Sequence, residues 1–218
     1  MTCGLCFTRL NFPYNHLGLL LCMACIDELN ELSCNAAESS SLNWQTPIHQ
    51  QVARVDSLFW YSGVVRSLTI NTKVKGDMSS LYRILKIWSS ELEKKSSFAG
   101  IDAVMPCPSS LWSRLHGRID IAWFLAAKIA EKYNIKFIRP PRDLYWKLQK
   151  RSQTERSVDS NLVVSDPVLC PNNDKAGKSH CLIVDDVVTT GATLKTCMEH
   201  SSKLGIGRFS SLTFARAR

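Results

Sequence analysis

Short apolar runs alternate with helical stripes along most of the chain, and this alternation limits the possible folds more than any other feature. Apolar residues recur at steps of three and four, as a helix requires, in the ranges 77–93, 119–133 and 192–203. Runs typical of strands lie at 101–105, 135–138, 181–184 and 209–214. We therefore predict an α/β fold with a parallel sheet and helices on both of its faces.

Composition divides the chain into three predicted parts. Residues 1–34 form a small cysteine-rich module, 35–56 a linker and 57–218 the main domain. The linker assignment rests on a polar tract with three consecutive serines. Residues 57–70 are rich in aromatic and β-branched side chains around Gly63, which predicts a hairpin. The polar, basic range 142–162 predicts a mobile loop.

Two C-x-x-C pairs lie in the first module. Cys3, Cys6, Cys22 and Cys25 form these pairs, with 15 residues between them, a spacing typical of tetrathiolate zinc sites. Four thiolates leave zinc no open coordination position, so the predicted role of the metal is structural. The alternative is four incidental or redox-active cysteines. Cys34 is spaced for neither pair, and the remaining cysteines, Cys107, Cys170, Cys181 and Cys197, lie in apolar context and are predicted to be buried thiols.

Charge and cysteine usage indicate the partners and the compartment. A formal net charge of +8 and a pI of about 9.1 favour a polyanionic partner or an anionic ligand, with an inert basic surface as the alternative. Nine cysteines, an odd count, argue for a reducing compartment. The N-terminus shows no secretory signal, and the apolar stretch at 17–26 is shorter than the ~20 residues that span a bilayer. We expect a cytoplasmic protein with no membrane insertion.

The densest chemical content lies in the stretch LIVDDVVTTGATL, residues 182–194. Ligands of parallel sheets bind beyond the carboxyl ends of the strands, which is where we expect Asp185 and Asp186. The turn that follows offers backbone N–H groups, threonine hydroxyls and a helix N-terminus, all of which suit a phosphate. The two carboxylates suit hydroxyl groups instead. A ribose 5-phosphate satisfies both halves of the motif, whereas a simple turn or helix cap is the plain alternative.

Two other phosphate-related classes fit less well. The receiver domain of response regulators also carries an acidic pair after a strand, but only 32 residues follow Asp186 and none of them is Asp. A Walker-type nucleotide site is disfavoured because the chain contains no G-x-x-x-x-G-K-[ST] motif.

The segment IVDDVVTTGATL resembles the phosphoribosyl-pyrophosphate (PRPP) signature of type I phosphoribosyltransferases. Preceded by a zinc knuckle, it resembles the ComF family of competence proteins over essentially the whole chain. Three further segments carry the likeness: KVKGD at 73–77, VMPCP at 104–108, and the range 148–159 with Gln149 and Arg156. Asp159 stands where that family usually has Asn, and SRLHGRID at 113–120 departs from its usual R-G-F-N-Q motif.

The resemblance implies roles for individual residues. Asp185 and Asp186 would bind the ribose hydroxyls and so act in catalysis, and Mg²⁺ would accompany PRPP. The turn that would hold the 5-phosphate comprises Thr189, Thr190, Gly191, Ala192 and Thr193. Arg114, His116 and Arg118 are the candidates for the pyrophosphate side, with a solvated basic turn as the alternative, and Lys73 is a further candidate for PRPP binding. In the range 142–162, Lys147, Lys150, Arg151 and Arg156 would close over the ligand or remain ordinary solvated charges.

Two functions of different class follow from the resemblance. The first is a competence protein that binds single-stranded DNA during natural transformation, carries a PRPP pocket and meets DNA-uptake or recombination proteins. The second is an active phosphoribosyltransferase that transfers ribose 5-phosphate to an unidentified acceptor. The divergence at 113–120 puts the transfer reaction in question more than ribose phosphate binding, and we therefore favour the first.

Overall fold

The computed structural model describes residues 1–12, 14–17, 19–34, 54–95, 98–109, 117–141, 144, 179–202 and 205–217. The strands are β1 (Tyr14–His16), β2 (Leu19–Leu21), β3 (Arg54–Trp60), β4 (Ala103–Pro106), β5 (Lys136–Phe137), β6 (His180–Val188) and β7 (Arg208–Arg216). The helices are α1 (Met23–Leu32), α2 (Gly63–Lys75), α3 (Met78–Lys95), α4 (Ile121–Tyr133) and α5 (Ala192–Ser202).

Five strands form one sheet in the order β3-β7-β6-β4-β5, and every neighbouring pair is parallel. Strand β6 is central, and its Val184 aligns with Leu212 of β7 and Pro106 of β4. Because all five strands run the same way, their carboxyl ends meet at one edge of the sheet. The predicted α/β fold with a parallel sheet is confirmed.

Helices cover both faces of the sheet. Alternate residues of a strand point to opposite faces. Leu182 and Val184 pack into a buried cluster with residues of α2, α3 and α4, such as Trp88. Cys181 and Ile183 pack into a second buried cluster with residues of α5, such as Leu194. The central strand is therefore buried on both sides, as the continuous apolar run before Asp185 predicts.

The predicted hairpin at 57–70 is wrong. The first half of this range belongs to strand β3, but the second half is helix α2, which begins at Gly63. Val65, Leu68 and Thr72 of this helix are buried at helical spacing. Burial of one helical face has overridden the strand preference of the β-branched residues.

The N-terminal module packs directly on the α/β core. Strands β1 and β2 form an antiparallel hairpin, and helix α1 follows it. The buried residues of this module, among them Leu21 and Leu29, belong to the same cluster as Trp88 and Phe214. A polar contact adds to this packing, because the Glu28 carboxylate of α1 accepts the N–H of Val64 at 2.7 Å, at the start of α2.

Most of the predicted linker, residues 35–53, lies outside the described residues, as does 145–162 of the predicted mobile loop. Arg54 to Asp56 of the predicted linker belong to strand β3. Among the described helices, none combines the length and the hydrophobicity needed to cross a membrane.

Candidate functional site

The acidic pair lies in the second half of the central strand. Strand β6 was expected to end at Val184, but it continues to Val188 because its pairing with β7 extends from Asp185, opposite Thr213, to Val188, opposite Arg216. The two carboxylates are therefore held by the sheet, close to its carboxyl edge, rather than by a turn.

The two carboxyl groups lie close enough to interact with each other, and both act on the charge of Lys73. Each carboxylate also accepts the backbone N–H of the next residue, at 2.8 Å for Asp185 and 2.7 Å for Asp186. One oxygen of each acid is thus held against the strand, and the second oxygen determines what each acid can bind.

The second oxygen of Asp186 pairs with Lys73 from the last turn of α2. The Lys73 Nζ lies 2.5 Å from Asp186 Oδ2, and the Asp186 side chain is only 7% exposed, against 41% for Lys73. Burial lowers the pKa of Lys73, but the negative charges of Asp186, Asp185 and Asp120 outweigh this and raise it overall. Lys73 therefore keeps its positive charge at this edge of the sheet.

Asp185 is the perturbed acid of the pair. Burial, followed by the negative charge of Asp186, raises the pKa of Asp185 to about 8, although Lys73 opposes the shift. A carboxyl group with this pKa holds its proton at neutral pH and can then donate a hydrogen bond as well as accept one. Strongly perturbed acids of this kind are concentrated at functional sites.

Asp120 is a third acid beside this pair, and the local sequence around it does not predict a place in the site. Its carboxylate caps helix α4 by accepting the Trp123 N–H at 3.2 Å, and it also accepts the Ser109 hydroxyl at 2.9 Å. Burial, and less strongly the charge of Asp186, raise the pKa of Asp120 although both hydrogen bonds oppose this. An Asp directly before a helical stripe predicts a cap, and only the packing brings it to the site.

The predicted phosphate turn lies between β6 and α5 at the same edge. Thr189 and Thr190 are exposed, and Gly191 has a φ of 75°, in the left-handed region that favours glycine. Helix α5 begins at Ala192, whose N–H donates to Thr190 Oγ1 at 3.4 Å, and Thr193 lies half-buried in its first turn. An exposed helix start after a glycine turn is suited to bind an anion.

Two buried thiols line the α5 side of the acidic pair. Cys107 Sγ lies 3.4 Å from Cys197 Sγ. The hydrogen bond to Cys197, burial and the nearby acids all raise the pKa of Cys107 well above its ordinary value. Cys107, Cys181 and Cys197 are buried thiols, as predicted, and Cys34 is buried as well.

Of the candidates for the pyrophosphate side, Arg114 and His116 lie outside the described residues, and Arg118 is exposed just before α4. The range 145–178, with Gln149 and the basic residues expected to close over the ligand, also lies outside the described residues. Of the residues expected at the PRPP site, the structure brings Lys73 into contact with Asp186 and places residues 189–193 directly after the strand that carries both acids.

The four N-terminal cysteines converge on one point. The sulfur atoms of Cys3, Cys6, Cys22 and Cys25 all lie within 4.8 Å of one another, and Cys6 Sγ is 3.6 Å from Cys22 Sγ. Four sulfurs at about 2.3 Å from a tetrahedral zinc would be about 3.8 Å apart. These four side chains can therefore hold a metal ion such as zinc.

Backbone N–H groups support the thiolate form at this cluster. The N–H groups of Leu5 and Cys22 point at Cys3 Sγ from 3.5 and 3.4 Å. Burial raises the pKa of Cys3, but these and other backbone N–H groups lower it overall. A hydrogen bond with the Thr8 hydroxyl lowers the pKa of Cys6 to about 6. Burial and the neighbouring sulfurs raise the pKa of Cys25. A divalent cation bound to the sulfurs would lower this pKa again.

The chain was compared with models of known protein families and with curated proteins, and neither comparison found a match.

Proposed function

We propose that the chain binds PRPP or a related ribose 5-phosphate at the carboxyl edge of β6, with Asp185 and Asp186 as the acids that bind the ribose hydroxyls. The observation that carries the proposal is the direct succession of a central strand with two acids, a glycine turn with exposed threonines, and a helix start. This order matches the PRPP signature that residues 183–194 resemble. We infer that the five-stranded parallel sheet belongs to a type I phosphoribosyltransferase-like domain, as this resemblance implies.

Each part of the edge has a chemical role in this proposal. The amides and hydroxyls of residues 189–193 hold the 5-phosphate, and the dipole of α5 favours its charge. The Asp185 carboxyl group accepts a hydrogen bond from a ribose hydroxyl or, when protonated, donates one to it. Carboxylate oxygens are also the ligands that Mg²⁺ prefers, and Mg²⁺ would neutralise the pyrophosphate of PRPP.

The Lys73–Asp186 ion pair must open for both acids to bind one sugar. Asp186 is buried and its second oxygen is paired with Lys73, so a ribose at the sheet edge reaches that oxygen only when Lys73 moves. Pyrophosphate offers Lys73 a stronger negative charge than one carboxylate does, and exchange of partners frees Asp186 for the sugar. PRPP should therefore bind more tightly than ribose 5-phosphate, which lacks the pyrophosphate.

Calorimetry tests this pocket without assuming a reaction. PRPP with Mg²⁺ is titrated into the wild type, Asp185→Ala/Asp186→Ala, and the control Asp27→Ala, which removes an exposed acid from α1. We expect the double variant to lose measurable binding while the control keeps wild-type affinity. Equal affinity in all three proteins would refute the pocket.

We further propose that the metal of the cysteine cluster is zinc and that its role is structural. Four sulfur ligands at these separations leave no position for a substrate. Metal analysis of gently purified protein should give about one zinc per chain. A metal-free protein with full stability would reject this assignment.

For the biological role we propose a ComF-like competence protein that acts on single-stranded DNA in the cytoplasm and meets DNA-uptake or recombination proteins. Its support is the resemblance together with the net charge of +8. Affinity for an oligothymidine should fall steeply with salt, because each neutralised phosphate contributes about −0.7 to the logarithmic slope for a single strand. A weak, flat salt response would remove the DNA-binding function.

The second candidate is an active phosphoribosyltransferase, favoured by the three acids and one lysine gathered at the edge. Pyrophosphate release from PRPP and Mg²⁺ is measured over a panel of bases and nucleotides. If any acceptor gives turnover and Asp185→Ala abolishes that turnover, the enzyme is favoured. If no acceptor of the panel gives turnover, the binding function is favoured.

A further inference from the structure

An aromatic and basic surface joins the cysteine module to helix α3. We define this platform by four residues: Phe7 of the module, and Tyr82, Arg83 and Lys86 of α3. The Arg83 guanidinium lies over the Phe7 ring, 4.3 Å from its centroid, and the Lys86 ammonium lies 5.5 Å from the centroid of the Tyr82 ring. Helix α3 packs against strand β2 of the module, so the two parts of the platform share one support.

Phe7 is unusual in both backbone and exposure. Its φ is 62°, in the left-handed region that a bulky residue rarely adopts. The turn requires this conformation, because the Phe7 N–H donates to the Cys3 carbonyl at 3.1 Å beside the sulfur cluster. Glycine would make the same turn without strain, yet the chain has an aromatic ring there that is 61% exposed. The turn explains the backbone but not the ring.

The charge around the platform is positive. The first 26 residues contain no Asp or Glu, and neither does α3 from Met78 to Ser90. Arg9 in the module is exposed. Four thiolates with one divalent ion would carry a formal charge of −2, so the cations of α3 rather than the metal supply the positive potential. Aromatic rings interleaved with cations suit a partner that has both flat apolar faces and a negative backbone.

We propose that the platform binds single-stranded DNA, with a base stacked on the Phe7–Arg83 pair and the adjacent phosphates against Arg83 and Lys86. This inference rests on the proposed DNA-binding function and names its contact surface. A single strand is the expected form because its unpaired bases present their faces, whereas a duplex hides them. Tyr82, which is 56% exposed, offers a second ring for the next base.

The test compares the affinity of a fluorescein-labelled oligothymidine for the zinc-loaded wild type and variants by anisotropy. Phe7→Gly removes the ring and relieves the backbone strain, so the variant should keep its zinc and its melting temperature. We expect Phe7→Gly and Arg83→Ala each to weaken binding about tenfold. Phe124→Ala and Lys128→Ala, on α4, are the matched aromatic and cationic controls and should change affinity less than twofold.

The salt dependence separates the two kinds of contact. Arg83→Ala and Lys86→Ala should each make the salt slope shallower by about 0.7, whereas Phe7→Gly should weaken binding without changing the slope. A merely structural role of Phe7 would not produce that split.

The outcomes distinguish the platform from the proposed function. A wild type without affinity for the oligothymidine overturns the DNA-binding function and the platform with it. A wild type that binds, together with a Phe7→Gly variant that binds equally well, overturns the platform alone and leaves the surface to a protein partner. Equal affinity for a duplex of the same length also overturns base stacking.

Discussion

Asp185 should make the folded protein less stable as the pH rises through neutrality. Its pKa is about 8 in the folded protein, against an ordinary value of 3.8. Between these values only the folded state holds the proton, so the free energy of unfolding falls by up to about 1.4 kcal/mol per pH unit. From pH 5 to pH 7 this one group therefore costs up to about 2.7 kcal/mol.

Asp185→Asn tests this cost. Asparagine keeps the oxygen that accepts the Asp186 N–H but has no titrating proton. We expect the variant to gain stability over the wild type by up to about 2.7 kcal/mol between pH 5 and pH 7. The comparison cancels the titrating groups that do not interact with Asp185. If Asp185→Asn is more stable than the wild type but binds the ligand less tightly, Asp185 contributes to binding at a cost in stability.

Urea unfolding at pH 5, 6 and 7 and constant ionic strength measures the effect, with m-values compared to verify two-state behaviour. Asp27→Asn is the control, since it replaces an exposed acid of α1 and should change stability by no more than about 0.5 kcal/mol at each pH. If the stability difference between Asp185→Asn and wild type is the same at all three pH values, Asp185 is already ionised at pH 5 and the reasoning from burial is refuted.

Three further predictions concern the fold. Gly63→Ala should cost about 2 kcal/mol in urea unfolding, because the φ of Gly63 is 47° and the new Cβ would collide with the Glu28 carboxylate. Gly76→Ala is the control, since its φ is 68° but its surroundings are open, and it should cost only about 1 kcal/mol. Equal costs for the two variants would contradict the clash. Asp77 caps α3, and the hydroxyls and N–H groups of residues 79 and 80 lower its pKa to about 2. Asp77→Ala should therefore lower stability above pH 4, with the deficit vanishing towards pH 2, and a deficit independent of pH would argue against this cap. A chelator should release about one zinc per chain and lower the melting temperature, since metal binding and folding of such modules are coupled; an unchanged melting temperature after metal loss would show that the module folds without it.

Local patterns predicted the elements whose signal lies in neighbouring residues. The helix predicted at 77–93 is α3, and the apolar run at 181–184 lies within β6. The spacing of Cys3, Cys6, Cys22 and Cys25 predicted a sulfur cluster, because each C-x-x-C turn directs both of its sulfurs to one side. Such features depend on a few adjacent side chains and are readable before the chain is folded.

Local patterns did not predict the features that depend on contacts between distant segments of the chain. Val64 and Val65 have a strand preference, but burial against α1 and α3 makes their segment a helix. Asp120 has only the pattern of a helix cap, and its place beside Asp186 follows from the packing of α4.

By itself, the sequence determined the parallel α/β class, the cluster of four cysteines and the acid-rich strand followed by a glycine turn, because each of these is encoded in local periodicity or spacing. Only the tertiary structure decided that Lys73 pairs with Asp186 beside the buried Asp185, and only the structure set Arg83 against Phe7. These contacts join elements far apart in the chain, so they exist only once the sheet has fixed which face each helix covers.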